Sequence, residues 1–247
     1  MAGTAALSLV LPISVAIVVL LAIVTISYEQ TIHAYPGGGG AYIVARDNLG
    51  ELPAQVAGAA LLMDYILTVA VSISSAVAQV SSAFPVVHGH RVALGIVLVA
   101  FVMVVNLRGV KESGTVLAVP TFFFVAMMAL TVGTAIVRHL LGTLQPVPDP
   151  PPLDIEPVGA IGLFLILHAF SSGTTALTGV EAISNGIPAF KEPRSRNAGI
   201  TLLWMSGILG VLFLSISFLA GRVGAVPSEA ETVISQITRA AFDGRGP

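Results

Sequence analysis

The 247 residues are 55% hydrophobic and 10% charged, with a mean hydropathy of +0.93, whereas an average soluble domain carries roughly 25% charge. So few charges cannot solvate a globule of this length, which excludes a water-soluble enzyme. The near balance of 11 basic and 13 acidic residues gives no phosphate-binding footprint, which excludes a nucleic-acid partner, and the absence of cysteine removes disulfides, thiolate metal sites and cysteine nucleophiles.

The remaining class is an all-α polytopic membrane protein whose first partner is the lipid bilayer. A bilayer core needs about 20 predominantly apolar residues per helix, and uncharged runs of that order recur along the chain. In chain order, six spans are predicted near 6–30, 53–84, 91–107, 113–138, 158–186 and 197–221. Residues 1–226 then form a transmembrane region and 227–247 an extracytoplasmic loop or tail. The runs lack the period-two alternation of barrel strands, so helices are expected. The first run has no basic leader and is too long for a signal peptide.

After the first span, PGGGGAYIVARDNLGELP combines four consecutive glycines, an asparagine and a second proline. This composition predicts a structured cytoplasmic loop of turns and close backbone approaches rather than a continuous helix. The second span would be about 48 Å long at about 1.5 Å per residue, so it must tilt or extend beyond the bilayer. RGVKESG reads as a short connection between helices, and Pro120 within the fourth span predicts a kink rather than a break. From Pro227 onward the chain reads as an amphipathic segment outside the membrane.

The basic residues set the orientation. Arg46, Arg108, Lys111, Lys191, Arg194 and Arg196 fall on one set of connections, while Arg91 and Arg138 share the opposite set with the acidic, proline-rich PVPDPPPLDIEP. The positive-inside rule assigns the richer side to the cytoplasm and the amino terminus to the other face.

Two charges interrupt the apolar runs, and an ionisable group at bilayer depth is a functional candidate by default. Asp64 lies in AALLMDYILTVAVS, with Tyr65 beside it and Thr68 one turn on. Ser72, Ser75, Gln79 and Ser82 continue at helical spacing, so a carboxylate heads one polar stripe. Such a stripe suits a water-facing or ion-facing surface, and it also suits close helix packing by small residues.

Glu181 is the second, in SSGTTALTGVEAISNG. Glycine and β-branched residues weaken helical preference there, which predicts a broken span. Unwound backbone at membrane depth lines a cavity, and its carbonyls, with hydroxyls and carboxylates, can ligate a small hard cation. Thr174, Thr178 and Glu181 recur at steps of four and three, so an unbroken helix would also present them on one face. The five histidines show no metal-site spacing, and Tyr28 and Trp204 read as interfacial anchors.

The stretches SYEQTIHAYPGGGGAYIVARDNLG, LLMDYILTVAVSISSAVAQVSSAFP and TALTGVEAISNGIPAFKEPRSRNAGITL resemble the amino acid, polyamine and organocation (APC) permease superfamily. The closest likeness is to its potassium-importing, KUP-related branch. The resemblance covers nearly the whole chain and implies part of a LeuT-like core of two inverted five-helix repeats. The six spans would match helices two to seven, the Glu181 span being the broken sixth helix and the Asp64 span the third. The first helix, the later helices and the cytoplasmic regulatory domain have no counterpart, so a fragment is expected.

By the same resemblance, Asp64, Tyr65, Thr68, Thr178 and Glu181 would contribute to the cation and proton pathway, and Thr174, at helical spacing from Thr178, is a further candidate for ion binding. Thr178 would be a direct oxygen ligand of potassium, and Glu181 and Asp64 would attract the cation or carry the coupling proton. No cofactor is implied. The expected function is proton-coupled potassium import as a multi-pass protein of the plasma membrane, in bacteria the inner membrane, with a homodimer as one assembly state. Two alternatives stand beside it: an amino acid or polyamine permease taking a small amine, and a transport-inactive truncated protein with a structural or assembly role.

Overall fold

The structure, a computed structural model, describes residues 8–151 and 162–242, and the side chains of all of these except 110–113. Among the described residues every regular element is helical. In chain order these are α1 (Val10–Ala34), α2 (Gly40–Leu49), α3 (Glu51–Ala83), a 3₁₀ turn at Pro85–His90, α4 (Arg91–Leu107) and α5 (Val110–Leu140). They are followed by α6 (Leu163–Gly173), α7 (Val180–Asn185), α8 (Arg194–Val223) and α9 (Val233–Ala241), with 3₁₀ turns at Thr174–Leu177 and Ile187–Ala189.

Among the described residues, five helical segments are long and apolar enough to cross a membrane: Val10–Ala34, Glu51–Ala83, Pro85–Leu107, Gly114–Leu140 and Arg194–Val223. The apolar segment Leu163–Leu177 is shorter because the chain breaks there. The protein is thus an all-α multi-pass membrane protein. Large apolar side chains such as Leu62, Met63, Ile66 and Leu67 on α3 lie exposed, which lipid tails solvate as readily as another helix would.

Local chemistry explains several boundaries. Pro53 falls in the first turn of α3, where a missing amide hydrogen costs nothing. Pro120 interrupts no element, since α5 continues from Val110 to Leu140. The loop expected after the first span needs correction: only the stretch around Gly37–Gly39 is turn, and Gly40–Leu49 is helix. The glycine run is confined to its start, the AYIVARDNL behind it is helical, and Gly50 ends the helix at φ 94°. The hydroxyl of Tyr35 accepts a hydrogen bond from Asn48 Nδ2 at 3.2 Å, tying this helix to the start of the turn that precedes it. The RGVKESG connection is likewise shorter than expected, because α5 begins at Val110.

The chain divides into two compact units. One comprises Met1–Leu11, Val71–Ile161 and Leu214–Pro247. Within it the amphipathic α9 packs against α5, burying Gln236, Ile237, Ala240 and Ala241. The side-chain oxygen of Thr232 caps α9 by accepting from Ser235 N at 3.2 Å, as a hydroxyl at this position should. Residues 243–247 of the expected tail, and Asp154 and Glu156 of the acidic segment, lie outside the described residues.

The other unit comprises Pro12–Ala70 and Gly162–Phe213. Its core joins Leu21 and Ile32 of α1, Val180 of α7, Ile187, and Ala198 and Leu202 of α8. Buried Thr25 donates to Ser206 at 2.9 Å, a hydroxyl pair linking α1 to α8. In lipid such packing and interhelical hydrogen bonds hold helices together, each polar pair contributing about 0.6 kcal/mol.

Candidate ion site

All six expected site residues belong to this second unit. The break that organises them develops stepwise. The end of α6, Gly173, lies so close to α1 that a Cβ there would overlap the Ile17 side chain. Thr174–Leu177 then tighten into a 3₁₀ turn, Thr178 is extended at φ −61° and ψ 142°, and Gly179 is left-handed at φ 96°. A side chain at φ near +96° would be strained, so glycine allows the chain to leave one helix and start the next.

Local hydrogen bonds hold this geometry. Thr174 Oγ1 donates to Ser171 O at 2.6 Å, and Thr178 Oγ1 donates to Thr175 O at 2.8 Å. Each hydroxyl thus commits its proton to the backbone, and its oxygen retains lone pairs for a cation. The Gly179 amide donates to both Glu181 oxygens, at 3.1 Å each. The carboxylate therefore stabilises the first turn of α7, where negative charge is favoured, while its remaining lone pairs can accept or ligate.

On α3, Asp64, Tyr65 and Thr68 are half-buried. Thr68 Oγ1 is buried with no hydrogen-bond partner. The Tyr65 hydroxyl accepts a short hydrogen bond from Asn185 Nδ2, joining α3 to the end of α7. Tyr65 lies within electrostatic range of Glu181 and Asp64, and so does Tyr28. The unit thus brings two carboxylates and two phenols, from α1, α3 and α7, into one neighbourhood.

Three residues were missed or misread in the sequence. Tyr28, expected as an interfacial anchor, packs half-buried against the core of this unit. Its spacing on an apolar helix gave no sign of a carboxylate neighbour. Asn185 and the fully buried Ser184 precede Gly186 in a stretch that reads as turn punctuation. Yet Ser184 Oγ and Asn185 Oδ1 are, like Thr68 Oγ1, buried without a partner.

At the far end of the α3 stripe the packing alternative applies, since Gln79 and Ser82 bond to the segment that starts α9. Thr232 Oγ1 donates to Gln79 Oε1 at 2.9 Å, and Ser82 Oγ bonds Ser235 Oγ at 2.7 Å and accepts from Thr232 N at 3.2 Å.

Residues 1–242 match the family described as amino acid permease. The chain is also 48% identical over 232 residues, 94% of its length, to "Potassium transporter KimA" of Bacillus subtilis (strain 168). It spans 38% of the length of that relative. With almost all of its residues matched, this multi-pass membrane chain belongs to the amino acid permease family of the APC superfamily, a family of transporters rather than enzymes.

Proposed function

We propose that these helices carry part of the pathway of a proton-coupled potassium importer in the plasma membrane, the inner membrane if the source is bacterial. The observation that carries this reading is the 48% identity to a potassium transporter, which extends across both Asp64-Tyr65 and the broken segment at Thr178–Glu181. Thr178 would ligate potassium through its hydroxyl oxygen. Asp64 and Glu181 would supply negative charge, and one of them would carry the coupling proton. Tyr65, Thr68 and Thr174 would complete the oxygen lining. Only oxygen donors are involved, as suits a hard monovalent cation that must bind well enough to enter and weakly enough to leave. A homodimer is the assembly proposed.

The test is complementation of a potassium-uptake-deficient bacterium with the full-length gene and its Glu181→Gln and Asp64→Asn variants. Growth on limiting potassium is expected for the wild type and severely impaired growth for both variants. Unimpaired growth of both would overturn the assigned roles. Uptake of an amino acid or polyamine without potassium uptake would transfer the reading to a small-amine permease. A stable membrane species with no flux of either kind would leave a structural role.

A further inference from the structure

Asn185 is the last residue of α7, and it touches three parts of its unit at once. Its Nδ2 donates to the Tyr65 hydroxyl on α3. Its backbone oxygen accepts from Gly39 N at 3.4 Å, in the turn between α1 and α2. Its Oδ1 is buried without a partner and lies against Gly40, where a Cβ would overlap it. A Cβ at Gly38 would come within 2.8 Å of both Asn185 O and Pro188 Cδ. Gly40 therefore leaves the space that the Asn185 amide occupies, and Gly38 the space for the Asn185 backbone oxygen and Pro188. A purely helix-terminating asparagine would not need an amide wedged between a glycine and a phenol.

The direction of the bond matters chemically. Because the amide N–H donates, the phenol oxygen of Tyr65 is held as an acceptor in a fixed direction, while its own O–H and remaining lone pair stay available. A phenol without that partner would rotate about its C–O bond and sample several hydrogen-bonding directions. Fixing it before the ion arrives removes an ordering cost from binding.

We propose that Asn185 is a positioning residue for the Tyr65 hydroxyl, held in place by the glycine turn at residues 38–40. The inference rests on the reading of Tyr65 as part of the ion site and goes beyond it by naming what orients that group.

Rubidium uptake by the full-length protein in proteoliposomes, with potassium as competitor, tests it alongside thermal unfolding. Asn185→Ala should raise the KM for rubidium about three- to tenfold, the effect of one lost hydrogen bond, with little change in the maximal rate. Tyr65→Phe should raise KM similarly, and the double variant should be no worse than Tyr65→Phe alone. Asn185→Asp conserves volume but cannot donate, so it should raise KM as well, and it keeps the test readable if the alanine variant fails to fold. Gly40→Ala should act in the same direction by displacing the amide. A lowered unfolding midpoint with an unchanged KM in both Asn185 variants would overturn the inference, as would effects of Asn185→Ala and Tyr65→Phe that multiply. If Tyr65→Phe itself leaves KM unchanged, the ion-site reading of Tyr65 fails and the inference fails with it. If Tyr65→Phe raises KM and neither Asn185 variant does, the inference alone fails.

Discussion

The two units of the chain differ in how their buried polar groups find partners. Around α9 they satisfy one another. Gln236 is fully buried, yet its Oε1 accepts from Val226 N at 3.0 Å and its Nε2 donates to Val226 O at 2.7 Å and Glu231 O at 3.2 Å. Arg239 pairs with both oxygens of Glu231 at 2.8 Å, and the Gln79, Ser82, Thr232 and Ser235 hydrogen bonds close a second network. Ser81 Oγ and Arg91 Nε are the exceptions. In the other unit Thr68 on α3 and Ser184 and Asn185 on α7 each present a buried oxygen without a hydrogen-bond partner. An unpaired buried polar group costs about 1–3 kcal/mol. A structural network removes that cost, whereas a binding site retains it until a ligand supplies the partner. Under the proposed function, the first unit would serve stability and the second ion chemistry.

The largest expected effect follows from breaking the second unit. Glu181→Gln removes the charge and weakens the acceptor for the Gly179 amide. Uptake should fall by about tenfold to a hundredfold, the range of one lost charge-assisted hydrogen bond, as read by initial rates of rubidium entry. The fold should persist, because α7 retains a polar side chain in its first turn. Next comes the stable network. Gln236→Leu strands the Val226 amide and carbonyl inside the packed interface of α9, which should cost about 2–4 kcal/mol of stability. The midpoint of thermal unfolding should drop, and the KM of whatever protein remains folded should not move. A KM change in Gln236→Leu would erase the distinction between the two units.

How far the sequence anticipates this depends on which force sets each feature. The apolar helices are legible because a bilayer imposes length and hydropathy on every one of them, so Val10–Ala34, Glu51–Ala83 and Arg194–Val223 lie close to the runs that predict them. The break at Thr174–Gly179 is legible because glycine and hydroxyl residues disfavour a helix locally. Helix α2 is obscured because the glycine run that precedes it dominates the local composition. The stripe on α3 is ambiguous for another reason. Helical spacing shows that Thr68, Gln79 and Ser82 share a face, but not that α9 covers its far end. Asn185 is invisible to any local pattern, since its significance lies in Gly40 and Tyr65, which are 145 and 120 positions away.

Two hydroxyl deletions on α3 sharpen the contrast at its smallest scale. Ser82→Ala removes a group bonded to both Ser235 and Thr232 N, so stability should fall by about 1 kcal/mol with no effect on KM. Thr68→Val is isosteric and removes a hydroxyl that has no partner. A residue serving structure alone would be improved by that change, because a buried polar atom without a partner is replaced by a methyl group. A residue serving the ion would lose an oxygen that the bound cation needs. Thr68→Val should therefore leave the unfolding midpoint unchanged or raise it in the absence of potassium, while KM rises about threefold or more. It should also reduce the extra stability that saturating potassium confers, since a ligand stabilises a fold in proportion to the logarithm of its concentration over its dissociation constant. Opposite signs for stability and affinity would separate Thr68 from Ser82 on the same helix, and matching signs would place both in the structural class.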